Sequence, residues 1–333
     1  MSNPFIKILM ISIVMILIIV GCSREDVMTS DDGMPRYVGI VGGTSGGVFF
    51  LIANGISQIL NEDFPEMKAS PQSTAGTPNI IDTVDSGNGE LGFVQASAAL
   101  SAQNGEGQFE GRPAENIAGV TYVYPNVIHF IVKRNAGIET PEDIVGKRIG
   151  VGEPGGGVET DSRNMFNGLD IDFPRGVSAE YVTGGQASEM LRDNQLHGAI
   201  APGAQGFSMI TELMGTGDYK LLEFSPEHLE AINEHSDDTY YEHEIPANTY
   251  PNQPEPVITY AEANWLITRA DVSDDFVYSV LHSLYEDEAK LENLHDAIQN
   301  MTLDNSQEGS KISLHPGAVK FYEEHGVDID QTD

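Results

Sequence analysis

The chain has 333 residues, of which 51 are Asp or Glu and 17 are Lys or Arg, giving a formal net charge of −34 at pH 7. That length allows roughly two domains of about 150 residues, and charge of that sign argues against a nucleic-acid partner, whose phosphates need clustered Lys and Arg. A hydrophobic content of 40%, with apolar periodicity through most of the chain and acids spread along it, excludes a disordered acidic tail and leaves a folded protein with a very acidic surface.

In chain order, residues 1–22 come first. MSNPFIK carries one Lys, IKILMISIVMILIIV is an apolar stretch short for a membrane span, and GCS follows, which together read as a secretory signal. Cys22, the single cysteine, lies behind Ile19, Val20 and Gly21 and resembles the lipobox of lipoproteins, where the thiol is acylated after cleavage. An uncleaved anchor helix is the alternative, and both readings put the domain outside the cytoplasmic membrane. With no other cysteine, no disulfide supports the fold. Residues 23–35 are polar and aperiodic and read as a flexible tether.

Tyr37 to Val41 form a predicted strand, GGTSGG follows, and Phe49, Ile52, Ile56, Ile59 and Leu60 then keep a helical rhythm. MKASPQST reads as extended, Ile80, Ile81 and Val84 mark a short helix ended by Gly87 with Thr77 as its N-cap, and LGFV is the next strand. Such alternation predicts a mostly parallel sheet. VIHFIVKR, Val127 to Arg134, is a longer strand, after which the pattern restarts: a strand from Arg148 to Val151, PGGG, and a helix carrying Val158, Ser162, Met165 and Leu169. Further units follow through the helix with Phe207, Ile210 and Met214 and a helix capped by Ser225 with Pro226 in its first turn. Residues 235–257, rich in turn formers and acids, read as irregular. VITYAEANWLITR returns to a strand, and two helices close the chain, the last stopped by Gly326. The expected division is 36–132 plus 256–333 for one lobe and 133–255 for the other.

Glycine clusters between strands and helices turn backbone N–H groups toward a bound anion. GGTSGG lacks the Lys of a P-loop, having Val48 there, and lacks a dinucleotide register. A ligand-free turn is the plainer alternative, but the hydroxyls of Thr44 and Ser45 favour a small anion such as a carboxylate. STAGTPNI and PGGGVET offer second and third helix starts. Nine scattered His residues form no zinc motif, and Asp237, Asp238 and His243 read as a solvated acidic loop. With no G-x-S-x-G elbow and no cysteine nucleophile, nothing points to an enzyme, a cofactor or a metal.

GGTSGGVFF, STAGTPNIIDTVDSGNGELGFVQ, YVYPNVIHFIVKRNAGIETPEDIVGKRIGVGEPGGG, IPANTYPNQ with VITYAEANWLI, and SLHPGAVKFYEEHG occur in that order from about residue 36 to 327. The set resembles the TAXI-family solute-binding proteins of TRAP (tripartite ATP-independent periplasmic) transporters. The resemblance implies a type II periplasmic-binding-protein fold: two α/β lobes, crossover strands and a ligand cleft between them. It also implies a small carboxylate ligand, either a glutamate-like amino acid or a dicarboxylate. The implied partner is a TRAP membrane permease on a separate chain. Carried over by position, contacts would come from Thr44, Ser45, Gly46, Thr77, Asn79 and Gln95 in one lobe and from Gly156, Gly157 and Val158 in the other. The chain departs from the family pattern at Phe49 and Phe50 (commonly Tyr), at Ser97 (usually Asp), in GGGV for G-S-G-T and at His197-Gly198 for Asp-Ala, so ligand specificity is expected to shift. A binder of a sulfonate, phosphonate or thiamine-precursor type ligand, serving an ATP-driven (ABC) transporter or a membrane sensor, is the alternative.

In dilute buffer so acidic a surface repels itself, whereas at about 1 M salt the screening length falls to about 3 Å. The protein is therefore expected to unfold on dialysis from molar salt into dilute buffer, followed by circular dichroism. Equal melting midpoints in the two buffers would remove the reading of this acidic surface as adapted to molar salt.

Overall fold

The computed structural model describes residues 34–45, 47–286, 290–291 and 294–329. Cys22, the leader, the tether up to residue 33 and Gly46 lie outside the described residues.

The strand–helix alternation builds two parallel groups. In the first, β1 (Tyr37–Gly42), β2 (Lys68–Ser73) and β3 (Leu91–Gln95) lie in the order β2-β1-β3, connected by α1 (Val48–Asp63) and α2 (Thr77–Asp85) and followed by α3 (Ala96–Asn104). In the second, β5 (Arg148–Gly150), β6 (Ser178–Glu180) and β7 (Gly198–Gly203) lie in the order β7-β5-β6, with α4 (Gly157–Gly168), α5 (Gly184–Arg192) and α6 (Ser208–Gly215). α7 (Pro226–Asn233) follows β8 (Tyr219–Leu221), while α8 (Asp274–Tyr285) and α9 (Pro316–Glu324) pack on the first group.

Two long antiparallel strands, β4 (Ile117–Lys133) and β10 (Val257–Arg269), run between the groups and join them into one sheet. Asn264–Thr268 of β10 pair with β3, and Val257–Glu262 pair with β9 (Tyr240–Ile245). β4 leaves β10 at Val127, and from there to Lys133 it pairs with β7 and β8. Each long strand therefore lies half in one lobe and half in the other.

Side-chain alternation puts a core on both faces of each half. Val38, Ile40 and Leu266 pack with α1, α8 and α9 on one face of the first lobe; Val41, Trp265 and Ile267 pack with α2 and α3 on the other. In the second lobe Ile128, Phe130 and Val132 take one face and Val127 and Ile131 the other.

Two elements differ from the sequence reading. β4 begins at Ile117 rather than Val127. Its first residues mix Gly119, Thr121 and Pro125 with aromatics, which hides a strand, yet every one is buried by the two cores of the first lobe. The acidic stretch read as irregular contains β9, an edge strand with Tyr240 and Ile245 buried and Glu242 and Glu244 exposed. Charged residues on an edge strand discourage pairing with another chain.

Candidate ligand cleft

Three helices start at glycine N-caps beside the junction of the lobes. α1 follows Gly47, α2 follows Gly76 and α4 follows Gly156, and none of these positions supplies a side-chain cap. Gly76 has φ +140°, which residues with a side chain rarely adopt, so Gly76 rather than Thr77 is the N-cap, correcting the sequence reading. By contrast, Thr183, Ser225 and Ser273 accept hydrogen bonds from the backbone N–H of Gln186, His228 and Phe276 at the starts of α5, α7 and α8. Such a cap is worth about 1 kcal/mol. Its absence at α1, α2 and α4 leaves first-turn N–H groups, at the positive ends of the helix dipoles, free for a ligand.

Those starts border two joined cavities. The first, about 500 Å³, has Gly76, Thr77, Asn79 and Gln95 on one side and Glu153, Gly156, Gly157 and Val158 on the other. The second, about 350 Å³, extends from Thr44, Gly47 and Phe49 to Asn126, Phe207 and Asn264, and shares Ala75, Gly76, Gln95 and Val158 with the first. The residues beyond β1, at the end of β3 and at the end of β7 all contribute, the usual place for ligands in α/β sheets. Of the residues singled out in the sequence, Thr44, Thr77, Asn79, Gln95, Gly156, Gly157 and Val158 thus come together. Ser45 is exposed and lines neither cavity, and Gly46 lies outside the described residues.

Gln95 is a point of contact between the lobes. A Cβ on Gly157 would lie 1.9 Å from Gln95 Oε1, so any side chain there would have to displace the Gln95 amide from its buried partners. The Gln95 amide nitrogen donates to Glu262 Oε1 at 2.6 Å and to Asp161 Oδ2 at 3.4 Å, and Thr77 Oγ1 donates to Gln95 Oε1 at 3.4 Å. Glu262 also accepts from the backbone N–H (3.2 Å) and hydroxyl (2.5 Å) of Ser97, at the first turn of α3. Tyr240 donates its hydroxyl to Asp161 Oδ1 at 2.7 Å.

Both carboxyls are buried, at 1% and 0% exposure for Asp161 and Glu262. Burial pushes Asp161 well above the ordinary carboxylate range, and the neighbouring Glu262 pushes it further. Burial also raises Glu262, against the lowering effect of its hydrogen bonds from Ser97. Burial and mutual repulsion thus push both carboxyls toward the protonated form.

Several cleft residues are not singled out by the sequence analysis. Arg112 and Asp82 meet at 2.6 Å on the rim of the first cavity, both about half exposed. Asp161 lies on the apolar face of α4 with Val158, Ser162 and Met165, and Glu262 interrupts the apolar run VITYAEANWLIT. A charged residue on a buried face is the signal that points to both. Asn126, Tyr124 and Asn264 carry no local motif, because only strand pairing brings them together.

Among the described residues no three His, Cys, Asp or Glu side chains converge on a cation site, and no helix is long and apolar enough to cross a membrane. A model of the NMT1-like family matches residues 40–326. Among solved structures, the chain is similar to the periplasmic aliphatic sulphonate binding protein SsuA from Escherichia coli, with 13% identity over 87% of this chain and 79% of that one and a TM-score of 0.52. A protein from Bordetella bronchiseptica RB50 is similar at 15% identity, over 87% and 81% of the two chains, with a TM-score of 0.52. At that identity the likeness is one of fold, and the chain has the two-lobe fold of periplasmic binding proteins.

The buried acid pair sets a direction for pH. Carboxyls raised in the folded state stabilise it fully below their ordinary values of 3.8 and 4.5, and that contribution is lost as pH rises toward their folded values. His129, pushed down to about 4 by burial, acts oppositely, losing stability as pH falls below about 6.5. In molar salt the acid pair is expected to lower the melting midpoint as pH rises above about 4.5, by about 2–4 °C for each kcal/mol lost. Asp161→Asn, which mimics the protonated acid, should flatten this slope. Parallel slopes in the two proteins would contradict protonation at the junction.

Proposed function

The chain belongs to the NMT1-like family, and on that premise we propose that it is an extracytoplasmic solute-binding protein that captures a small carboxylate between its lobes. In this reading, of the TAXI type, it is anchored through a lipid on Cys22 and delivers the ligand to a TRAP-type secondary transporter on a separate chain. One observation carries the choice of an anion: the uncapped starts of α2 and α4, one from each lobe, border the same 500 Å³ cavity. Main-chain N–H groups at opposed helix starts hold a carboxylate without a buried Lys, which suits a chain with 17 basic residues. A ligand that touches both starts stabilises the closed arrangement by its differential affinity for it.

The same N–H groups accept a sulfonate, and the similar Escherichia coli protein is described as binding aliphatic sulphonates. Sulfonate capture for an ATP-driven transporter is therefore the second reading. The first is preferred because five motifs in order match the TRAP-associated pattern.

Calorimetry in molar salt with amino acids, dicarboxylates, 2-oxo acids and alkanesulfonates separates the two. A carboxylate is expected to bind, and Gly157→Val should weaken it by at least about 100-fold, or roughly 2.7 kcal/mol, with unchanged circular dichroism. Preferential binding of a sulfonate would select the second reading, and full binding by Gly157→Val would place the ligand elsewhere.

A further inference from the structure

Asn264 lines the second cavity at 1% exposure, and neither its amide nitrogen nor its amide oxygen has a hydrogen-bond partner. Leaving such a group unpaired costs on the order of 1–3 kcal/mol. Among the described residues, other buried side-chain atoms lack partners, at Thr239, Tyr241, Tyr260 and His315, but none of these residues lines either cleft cavity.

The strand geometry aims Asn264 into the cleft. Its partners are Gln95 on β3 and Tyr124 on β4, and the β4–β10 register shifts between Asn264 and Trp265, where Trp265 pairs with Tyr122. Two residues on, Leu266 occupies the same face in the apolar core, so packing alone would favour an apolar residue at 264.

We propose that Asn264 is a ligand-recognition residue, and that the second cavity receives an uncharged end with a donor and an acceptor side by side, as in a primary amide. Among the described residues its lining carries no charged side chain, and Val48, Phe49, Pro202, Ala204 and Phe207 make much of it apolar. A carboxylate there would set oxygen against Asn264 Oδ1, and an ammonium would set N–H against Nδ2; a primary amide satisfies both atoms. Because the two cavities share Gly76, Gln95 and Val158, one ligand spans them, with its anion at the helix starts and its amide at Asn264. The anionic end rests on the function proposed above, whereas the amide end rests on Asn264 alone.

Two arms test this on the purified protein in molar salt. In the first, side-chain amide resonances of the ¹⁵N-labelled protein are followed with acetamide and with acetate. Acetamide is expected to move one Asn pair, identified by its absence from Asn264→Leu or Asn264→Ser, and acetate is not. In the second, glutaramate should bind at least about tenfold more tightly than glutarate, and Asn264→Leu should bring the ratio close to one. An Asn264 pair unmoved by acetamide, or a preference for glutaramate that survives in Asn264→Leu, overturns the proposal. If acetamide moves the pair but no carboxylate of any kind binds, the amide site stands and the carboxylate reading falls. If glutarate binds tightly and acetamide is silent, the reverse holds.

Discussion

The amide of Gln95 bridges two buried acids, and the arrangement of the cleft depends on that bridge. Glu262 belongs to a strand shared by both lobes, Asp161 to a helix of the second lobe, and Gln95 to the end of a strand in the first. Among the described residues no basic side chain donates a hydrogen bond to either acid, so protonation rather than an ion pair relieves the repulsion between them. The starts of α2 and α4 face one another because Gln95 and Gly157 touch at this point.

A second constraint is the division of helix caps. α7 and α8, whose starts line neither cleft cavity, satisfy their first N–H groups with Ser, and α5, beside the cleft, does so with Thr183. α1, α2 and α4 open on the cleft with glycine. α3 shows what such a start accepts, since the buried carboxylate of Glu262 takes the Ser97 N–H in its first turn. The fold itself therefore contains a carboxylate held at a helix start, beside others left for a ligand.

Much of this architecture is legible in the sequence because it rests on local patterns. The strand–glycine–helix units, the Ser225 cap and the apolar faces of α1 and α2 all follow from spacing within one element. Features set by partners distant in the chain are not legible that way. β9 looks irregular until β10 lies beside it, and the first part of β4 lacks strand character until two cores bury it. Likewise, Thr44, Gly76 and Gly156 announce themselves through glycine and hydroxyl clusters, whereas Asn264 and Tyr124 become neighbours only through the pairing of β10 with β4. Glu262 and Asp161 lie between these cases, since a charge on an apolar face is visible in sequence but its partner is not.

In the proposed function, main-chain amides from both lobes hold one anion, which a crystal structure of the loaded protein would show. Ligand oxygens are expected within hydrogen-bond distance of backbone N–H groups in the first turns of both α2 and α4. A ligand held by one lobe alone, or bound outside the space between Gly76 and Gly157, would contradict it.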